Sequence, residues 1–309
     1  MLKEIDFLGK RKFAAIFSSL LLIVSIGSLV VQGLKLGIDF TGGTLVEIGY
    51  KKAVNLKVMR AGLEAAGIND VTVQHFGSSQ EVLIRLKPQE GVSNAEISTN
   101  VLNAVNVGMA EQGDVRRVEF VGPQVGDELT EDGGLALLYS MFGILIYVAW
   151  RFEYKFALGS VAALAHDVLI TLGCFSVFQM EFDLTVLAAI LAVIGYSLND
   201  TIVVYDRIRE NFRLLRKGSS EVIMNASLNQ TLSRTLMTSL TTLLVLVALA
   251  ILGGEIIHNF AIALLIGVVV GTYSSIYVAS PLVLALGVSK EDLMVPEVEV
   301  EGKEFDMMP

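Results

Sequence analysis

The chain divides into long, uninterrupted apolar runs and one polar, periodic segment. A helix of about 20 apolar residues crosses the ~30 Å hydrocarbon layer, and little else satisfies its backbone there. Six runs meet this length and predict transmembrane helices at 13–33, 134–152, 156–178, 184–205, 234–253 and 259–284. The predicted order is one helix, an extramembrane domain and five further helices.

The first apolar run follows a short basic segment, residues 1–12, and has two interpretations. A cleaved signal peptide would have an apolar core of about 7–15 residues followed by a small-residue cleavage site. This run is longer, and it ends in Val30, Val31 and Gln32 without an Ala-x-Ala pattern. We therefore favour an uncleaved membrane anchor.

The polar segment, residues 34–133, shows two kinds of periodicity. Period-two alternation indicates strands, and apolar positions at helical spacing indicate amphipathic helices. The pattern predicts strands at 44–50, 71–76, 81–86 and 115–121, and helices at 56–66 and 94–111. This βαββαβ order is typical of a compact ferredoxin-like α+β domain. The single cysteine, Cys174, lies in an apolar run, so the domain must be stable without an intrachain disulfide.

Lys and Arg fall in alternate loops, which sets the predicted orientation. The amino end, the loop at 151–155 and the polar segment 206–230 are basic, whereas the loops at 179–183 and 253–258 carry only acidic charges. Both termini and the loop 206–230 are therefore predicted in the cytoplasm, with the domain in the periplasm. The acidic tail, 288–309, has no periodicity, and we expect it to be disordered.

Composition excludes several classes of function. Hydrophobic residues make up 53% of the chain and charged residues 18%, against about 25% in soluble proteins. The net charge of -9 gives no electrostatic reason to expect nucleic-acid binding. The sequence has no GxxxxGK[ST], HExxH or CxxC motif, and no metal-ligand spacing joins its three histidines. We predict no enzymatic activity, no metal and no cofactor.

Ionisable residues inside the apolar runs remain as candidates, because each costs at least ~2.5–3.5 kcal/mol at a helix centre. Asp167 lies beside His166 in the third run. Asp200 lies in the fourth run, and Arg234 begins the fifth. The possible supporting residues are the polar residues around Asp200 in sequence, together with Asp167: Tyr196, Ser197, Asn199, Thr201 and Asp167.

Each of these residues also has a purely structural interpretation. Asp167 fits a structural partner of His166 or of a helix-borne hydroxyl better than an ion carrier. Asp200 is either an interfacial carboxylate or a functional one, and Arg234 is equally well explained as an arginine that snorkels to the surface. Placed at similar depth on adjacent helices, Asp200 and Arg234 predict an acid–base pair. Burial and a nearby guanidinium act in opposite directions on the proton affinity of such a carboxylate.

Four motifs, in order along nearly the whole chain, resemble those of the SecF branch of the SecD/SecF protein-export family. They are GIDFTGGT at 37–44, VGPQVG at 121–126, VIGYSLNDTIVVYDRIREN at 193–211 and NQTLSRT at 229–235. The resemblance implies a member of the resistance–nodulation–division superfamily, whose members couple ion flow through their helices to movements of exported domains. It therefore implies a six-helix half-bundle of that superfamily's type.

The resemblance also implies roles for individual residues. Asp200 and Arg234 match the family's ion-coupling positions. The residues at the base of the domain match the glycine-rich motif and its partner motif: Gly37, Asp39, Gly42, Gly43, Gly122 and Pro123. Because glycine adopts backbone conformations closed to other residues, this segment suits a hinge. An ordinary tight turn is the alternative, with Asp39 as a cap or salt-bridge partner.

The implied function is protein export across the bacterial inner membrane. The resemblance implies a pseudo-symmetric twelve-helix bundle with SecD, working with the SecYEG translocon and YajC on an unfolded preprotein among membrane lipids. The driving force would be a proton or sodium gradient. Two alternatives stay open: half of a small-molecule exporter of the same superfamily, and a passive assembly subunit without an ion path.

Overall fold

The structure of the protein is a computed structural model, and it describes residues 5–68, 71–87, 94–107, 112–214, 218–289 and 292. The helices are α1 (Arg11–Val31), α2 (Ile38–Thr41), α3 (Leu56–Ala65), α4 (Asn94–Asn106), α5 (Pro123–Arg151), α6 (Tyr154–Val177), α7 (Leu184–Leu214), α8 (Ser220–Leu252), α9 (Glu255–Ser274) and α10 (Ser280–Ala285). The strands are β1 (Lys35–Leu36), β2 (Gly43–Gly49), β3 (Val71–Phe76), β4 (Ser78–Leu86), β5 (Asp114–Val121) and β6 (Glu181–Phe182).

In this part of the chain, six helical segments are long and apolar enough to cross a membrane. They are α1, α5, α6, α7, α8 and the continuous segment formed by α9 and α10, which a π-helical turn at Ser275–Ala279 joins. The predicted fold class, a six-helix membrane protein with one small α+β domain, is confirmed.

Several helices extend beyond the predicted spans into polar sequence. α5 begins at Pro123, well before residue 134, because Gly122 is extended and Pro123 occupies the first helical position, where a missing N–H costs nothing. α7 and α8 together occupy most of the segment 206–230, which the sequence predicted as a loop. In each case the charged residues that border the apolar run are still part of the helix.

Two predicted segments lie partly outside the described residues. The predicted helix at 94–111 is described as far as residue 107, and its helical part ends at Asn106. Of the predicted disordered tail, 288–309, only Val288, Ser289 and Asp292 are described.

The extramembrane domain is a four-stranded antiparallel sheet with strand order β3-β4-β2-β5. This is the ferredoxin-like order, since the two crossover helices place the first and third strands of the domain at its centre. The helices α3 and α4 cover one face and form the domain core with residues that include Val46, Ile48, Met59, Leu63, Ile84 and Val101. Asn55 caps α3 by accepting a hydrogen bond from Lys57 N at 3.0 Å.

The helix bundle has a buried centre and exposed flanks. α6 and α7 are mostly buried, whereas α1, α5 and α8 keep most of their spans exposed. α1 packs on α6, while α8 packs on α7 and α9 at the other side of the bundle. Hydroxyl pairs link the flanking helices to the centre, as between Ser28 and Ser176 at 2.8 Å and between Ser239 and Thr272 at 2.7 Å.

The glycines at the base of the domain differ in what they require. Gly42 and Gly43 have φ values of 66° and 131°, which only glycine adopts readily. A Cβ on Gly43 would collide with the carbonyl oxygen of Leu86 in the paired strand. Gly37 (φ −71°) and Gly122 (φ −66°) have ordinary conformations, and a Cβ on Gly122 would meet nothing within 4 Å.

We predict that Gly43→Ala destabilises the junction between β2 and β4 by about 2 kcal/mol, because it adds strain at positive φ to a backbone collision. Amide hydrogen exchange of β2 and β4 peptides in the full chain should then quicken by about 30-fold, at 1.4 kcal/mol per factor of ten. Gly122→Ala is the matched control and should leave exchange within about twofold of wild type. Equal exchange in the two variants would contradict the prediction.

Candidate functional site

The carboxylate of Asp200 lies inside the bundle on α7, and its residue is only 2% exposed. Oδ2 of this carboxylate is buried and has no hydrogen-bond partner among the described residues. Ser239 and Arg234, both on α8, are its neighbouring groups: the Ser239 hydroxyl acts on the carboxylate as a hydrogen-bond donor, and Arg234 acts through its charge. Asp200 is therefore a buried acid with unused acceptor capacity, a combination that is rare in a structural role.

The turn of α7 around Asp200 presents its polar residues on two faces. Ser197 and Thr201 are buried with Asp200, while Asn199 points to the exposed side of the helix. The hydroxyl oxygens of Tyr196 and Thr201 are buried without a hydrogen-bond partner in the described part of the chain. The structure therefore brings Tyr196, Ser197 and Thr201 to the interior beside Asp200 and leaves Asn199 outside it.

Arg234 is exposed, and within the described residues no ion pair joins it to Asp200. The predicted direct acid–base pair is thus absent, because the arginine lies on the outer side of α8 while the carboxylate faces inward. α7 and α8 are instead tied through Gln230, whose Oε1 accepts hydrogen bonds from Arg207 Nε at 2.6 Å and Asn211 Nδ2 at 2.9 Å. The positive charge of Arg234 still acts on the Asp200 carboxylate, although the two side chains form no ion pair.

A second buried carboxylate, Asp167 on α6, has hydrogen-bond partners at both of its oxygens. Its Oδ2 accepts hydrogen bonds from Ser197 Oγ of α7 at 2.5 Å and from Ser274 Oγ of α9 at 2.7 Å. Its Oδ1 lies 2.9 Å from His166 Nδ1. Because Asp167 is 0% exposed, these contacts replace its hydration entirely. One side chain thus joins the three central helices of the bundle.

The same network reaches α1 through an aromatic residue. The ring of His166 stacks against Tyr273 at a centroid distance of 6.2 Å. The Tyr273 hydroxyl donates to Ala14 O at 3.0 Å and lies 3.0 Å from Ser18 Oγ. The sequence reasoning missed Tyr273 and Ser274; their one signal is a cluster of hydroxyl residues within an otherwise apolar run.

The base of the domain is bound to the loop between α6 and α7. β1 pairs with β6 in parallel, and Gly37 N donates to Phe182 O at 2.8 Å. Asp39 Oδ2 accepts a hydrogen bond from Leu184 N at 2.9 Å, and so caps the helix that carries Asp200. Asp39 thus has the capping role that the sequence allowed, but it caps α7, a helix far away in sequence.

The remaining base residues meet at the start of α5. A Cβ on Gly42 would lie 3.0 Å from Pro123 Cα, and Gly43 pairs with Val121. A Cβ on Gly126 would lie 2.9 Å from Gly42 N. The glycine-rich segment and its partner motif therefore pack backbone to backbone, which requires the absence of side chains there.

An ion pair between Arg85 of β4 and Glu181 of β6 holds the sheet against this base. Arg85 Nη1 also donates to Leu36 O at 3.3 Å, and Glu181 O accepts from Asn259 Nδ2 at 3.1 Å. Next to the pair, a polar cleft of about 500 Å³ separates the sheet from the bundle. In the described ranges no group of three or more His, Cys, Asp or Glu side chains is arranged to hold a metal ion.

Fold and site together define a multi-pass membrane protein. Its helix bundle buries a carboxylate with one oxygen that lacks a hydrogen bond, and an extramembrane domain is attached to the bundle through its base. The family model described as "Protein export membrane protein SecD/SecF, C-terminal" matches residues 101–289. The family model described as "SecD/SecF GG Motif" matches residues 27–54. The chain belongs to the SecD/SecF family of protein-export membrane proteins, and within it to the SecF subunits of the protein translocase.

Individual relatives agree over the full length. The chain is 57% identical to protein translocase subunit SecF of Vibrio alginolyticus, over 99% of this chain and 98% of the relative. It is 48% identical to the SecF subunit of Escherichia coli O157:H7, over 97% and 93% respectively. The crystal structure of SecDF from Thermus thermophilus, a translocon-associated membrane protein, matches with a TM-score of 0.84 and 39% identity over 92% of this chain. The chain spans only 39% of that longer protein.

We predict that Asp167→Asn lowers stability by roughly 3 kcal/mol, because an amide group turns a donor toward at least one of the groups that now donate to the carboxylate. The apparent Tm of the purified complex in detergent should fall by several degrees. Asp206→Asn is the control: its carboxylate, 43% exposed, pairs with Arg151 and Arg209, and loss of these surface ion pairs should cost at most about 1 kcal/mol. A similar Tm for the two variants would refute the assigned importance of Asp167.

We predict that Glu181→Gln loosens the domain base, because it leaves the mostly buried Arg85 without its counter-charge. Exchange of the Gly37 amide, which bonds to Phe182 O, should quicken by about tenfold, the equivalent of 1.4 kcal/mol. Glu119→Gln removes the more exposed partner of Arg117 and should change this amide less than twofold. Unchanged exchange in Glu181→Gln would show that the ion pair does not hold the base.

Proposed function

We propose that the chain pairs with SecD and that the complex uses an ion gradient to promote movement of a preprotein across the membrane. The observation that carries the proposal is the buried carboxylate of Asp200, with an unpartnered oxygen and a cation at a distance on the next helix. Tyr196, Ser197 and Thr201 are its proposed supporting residues. Such a coupling role needs no catalysis by the chain itself.

The exposed face of α8 supports the proposed partnership. α8 keeps most of its span unburied and presents Arg234 outward. An arginine on an exposed helix face in hydrocarbon is costly unless a partner covers it or it reaches the interface. A second six-helix half packed on α7 and α8 would bury Arg234 beside Asp200, and it would account for the greater length of SecDF. The predicted acid–base pair would then form in the complex.

The proposed orientation places both termini in the cytoplasm and the α+β domain in the periplasm, following the alternation of basic loops. Domain movement would occur about the base, with the segment from Gly37 to Gly43, together with Gly122 and Pro123, as the hinge. The domain would act on an unfolded preprotein as it leaves the SecYEG translocon, with YajC as a further member of the assembly.

The energy scale fits such a movement. One charge that crosses a membrane gains ~2.3 kcal/mol per 100 mV, so a potential on the order of 200 mV supplies roughly 4–5 kcal/mol. That amount shifts a two-state equilibrium whose states differ by a few kcal/mol. Proton and sodium ions are both compatible with a carboxylate site. An exporter half of the same superfamily and a passive assembly subunit are the alternatives that the following experiment addresses.

We predict that Asp200→Asn abolishes gradient-dependent preprotein export and that Arg234→Met lowers it at least tenfold, because each removes a charge needed to load or release the ion. Export of a reporter preprotein is measured in membrane vesicles with and without an imposed gradient, alongside co-purification with SecD. Asp206→Asn and Arg151→Met, which break a surface ion pair at the same end of the bundle, are the matched controls and should keep wild-type export.

Full gradient-dependent export in both Asp200→Asn and Arg234→Met, with normal assembly, would favour the passive subunit. Normal export combined with lost efflux of small molecules would favour the exporter.

A further inference from the structure

A groove at the edge of the bundle is lined in part by His166 and Ser18, but by none of the residues proposed to act with Asp200. It has a volume of about 710 Å³ and lies between α1, α6 and the end of the last membrane segment, around α10. α1 packs on α6, whereas α8 packs mainly on α7 and α9 and reaches the basic end of the groove with its first turn, where Glu221 pairs with Arg11. Its lining is apolar apart from one basic end and a few hydroxyl and histidine side chains.

The groove exists because small residues line it where helix packing would call for large ones. α1 contributes Ala15 and Ser19, α6 contributes Ala162 and Ala165, and Pro281 begins the last helical stretch. The π-helical turn at Ser275–Ala279, immediately before that stretch, contacts both α1 and α6. The opening is therefore set by the small side chains.

The dimensions of the groove favour a chain molecule over a helix. Its lining on α1 runs from Arg11 to Leu22, about 16 Å at 1.5 Å per residue. A transmembrane helix of another protein runs the full ~30 Å of the hydrocarbon layer. The groove covers about half of that length, which matches the acyl chains of one leaflet rather than a spanning helix.

The depth and charge of the groove indicate which lipid fits. About 16 Å is half of the ~30 Å hydrocarbon layer, so the groove spans one leaflet. Arg11 and Lys12 lie at its outer end, at the height of the headgroups. Arg11 pairs with Glu221, while Lys12 is exposed and has no ion pair among the described residues. One uncompensated positive charge thus faces the headgroup position.

We infer that this groove is a binding site for an anionic glycerophospholipid, with its acyl chains between α1, α6 and α10 and its phosphate beside Lys12. The site binds a lipid of one leaflet and is independent of ion coupling at Asp200. A basic residue near the membrane surface favours anionic over zwitterionic lipid by about 1 kcal/mol, or about fivefold.

Tryptophan quenching by brominated lipids tests the site in the full complex. Trp150, which is 90% exposed, is replaced by Phe, tryptophans of the partner are likewise replaced, and a reporter is introduced by Leu22→Trp in the groove. Phe142→Trp is the control, since Phe142 is 58% exposed on α5 at a similar depth from its basic end. Vesicles contain brominated phosphatidylglycerol or brominated phosphatidylcholine, each in an unbrominated background of the other.

The expected result is about fivefold preference for phosphatidylglycerol at Leu22→Trp and no preference above twofold at Phe142→Trp. Lys12→Gln should remove the preference, and Ala165→Phe should remove the extra quenching by filling the groove, both without effect on the Phe142→Trp reporter. Equal quenching by the two lipids, or a preference that survives Lys12→Gln, would overturn the assignment. Protection of the Leu22→Trp reporter from both lipids would overturn it too, since a protein would then occupy the groove.

Discussion

The carboxylate of Asp167 imposes the arrangement of the central helices. A charged group with no access to water is tolerated only if protein donors replace its hydration, and Ser197, Ser274 and His166 provide them. These donors come from α6, α7 and α9, so any relative shift of these helices breaks a short hydrogen bond. In a lipid environment, where apolar packing between helices has little hydrophobic driving force, such polar contacts fix the register that van der Waals contact alone leaves loose.

The register of α7 matters because this helix connects the bundle to the domain. Its first residue, Leu184, is capped by Asp39 of the domain linker, and the β6 strand just before it pairs with β1. Asp200 lies sixteen residues further along the same helix, about 24 Å away at 1.5 Å per residue. A helix transmits axial displacement with little loss over such a length. A movement of α7 at the depth of Asp200 would therefore reach the domain base directly, with no intervening loop to absorb it.

The sequence predicted what is repetitive and missed what is local. Apolar runs and period-two alternation specify six spans and the βαββαβ domain, since each signal is averaged over many residues. The two-residue strands β1 and β6 carry no such signal, and neither does the pairing of Arg85 with Glu181 across the chain. Helical spacing places Asp200 and Arg234 near each other but does not fix which way each side chain points. That direction depends on packing, and it separates the two charges in the isolated chain.

The contrast between the two buried carboxylates argues for a division of roles. Binding or releasing an ion replaces the hydrogen bonds that a carboxylate already makes. At Asp167 that replacement would break contacts with three donors and so disturb the central helices, because polar networks are strongly cooperative. At Asp200, Oδ2 has no hydrogen bond to lose. A single bundle can keep its shape through an ion-driven cycle only if the residue that holds the helices and the residue that changes state are different. Under the proposed function, Asp167 suits the first task and Asp200 the second.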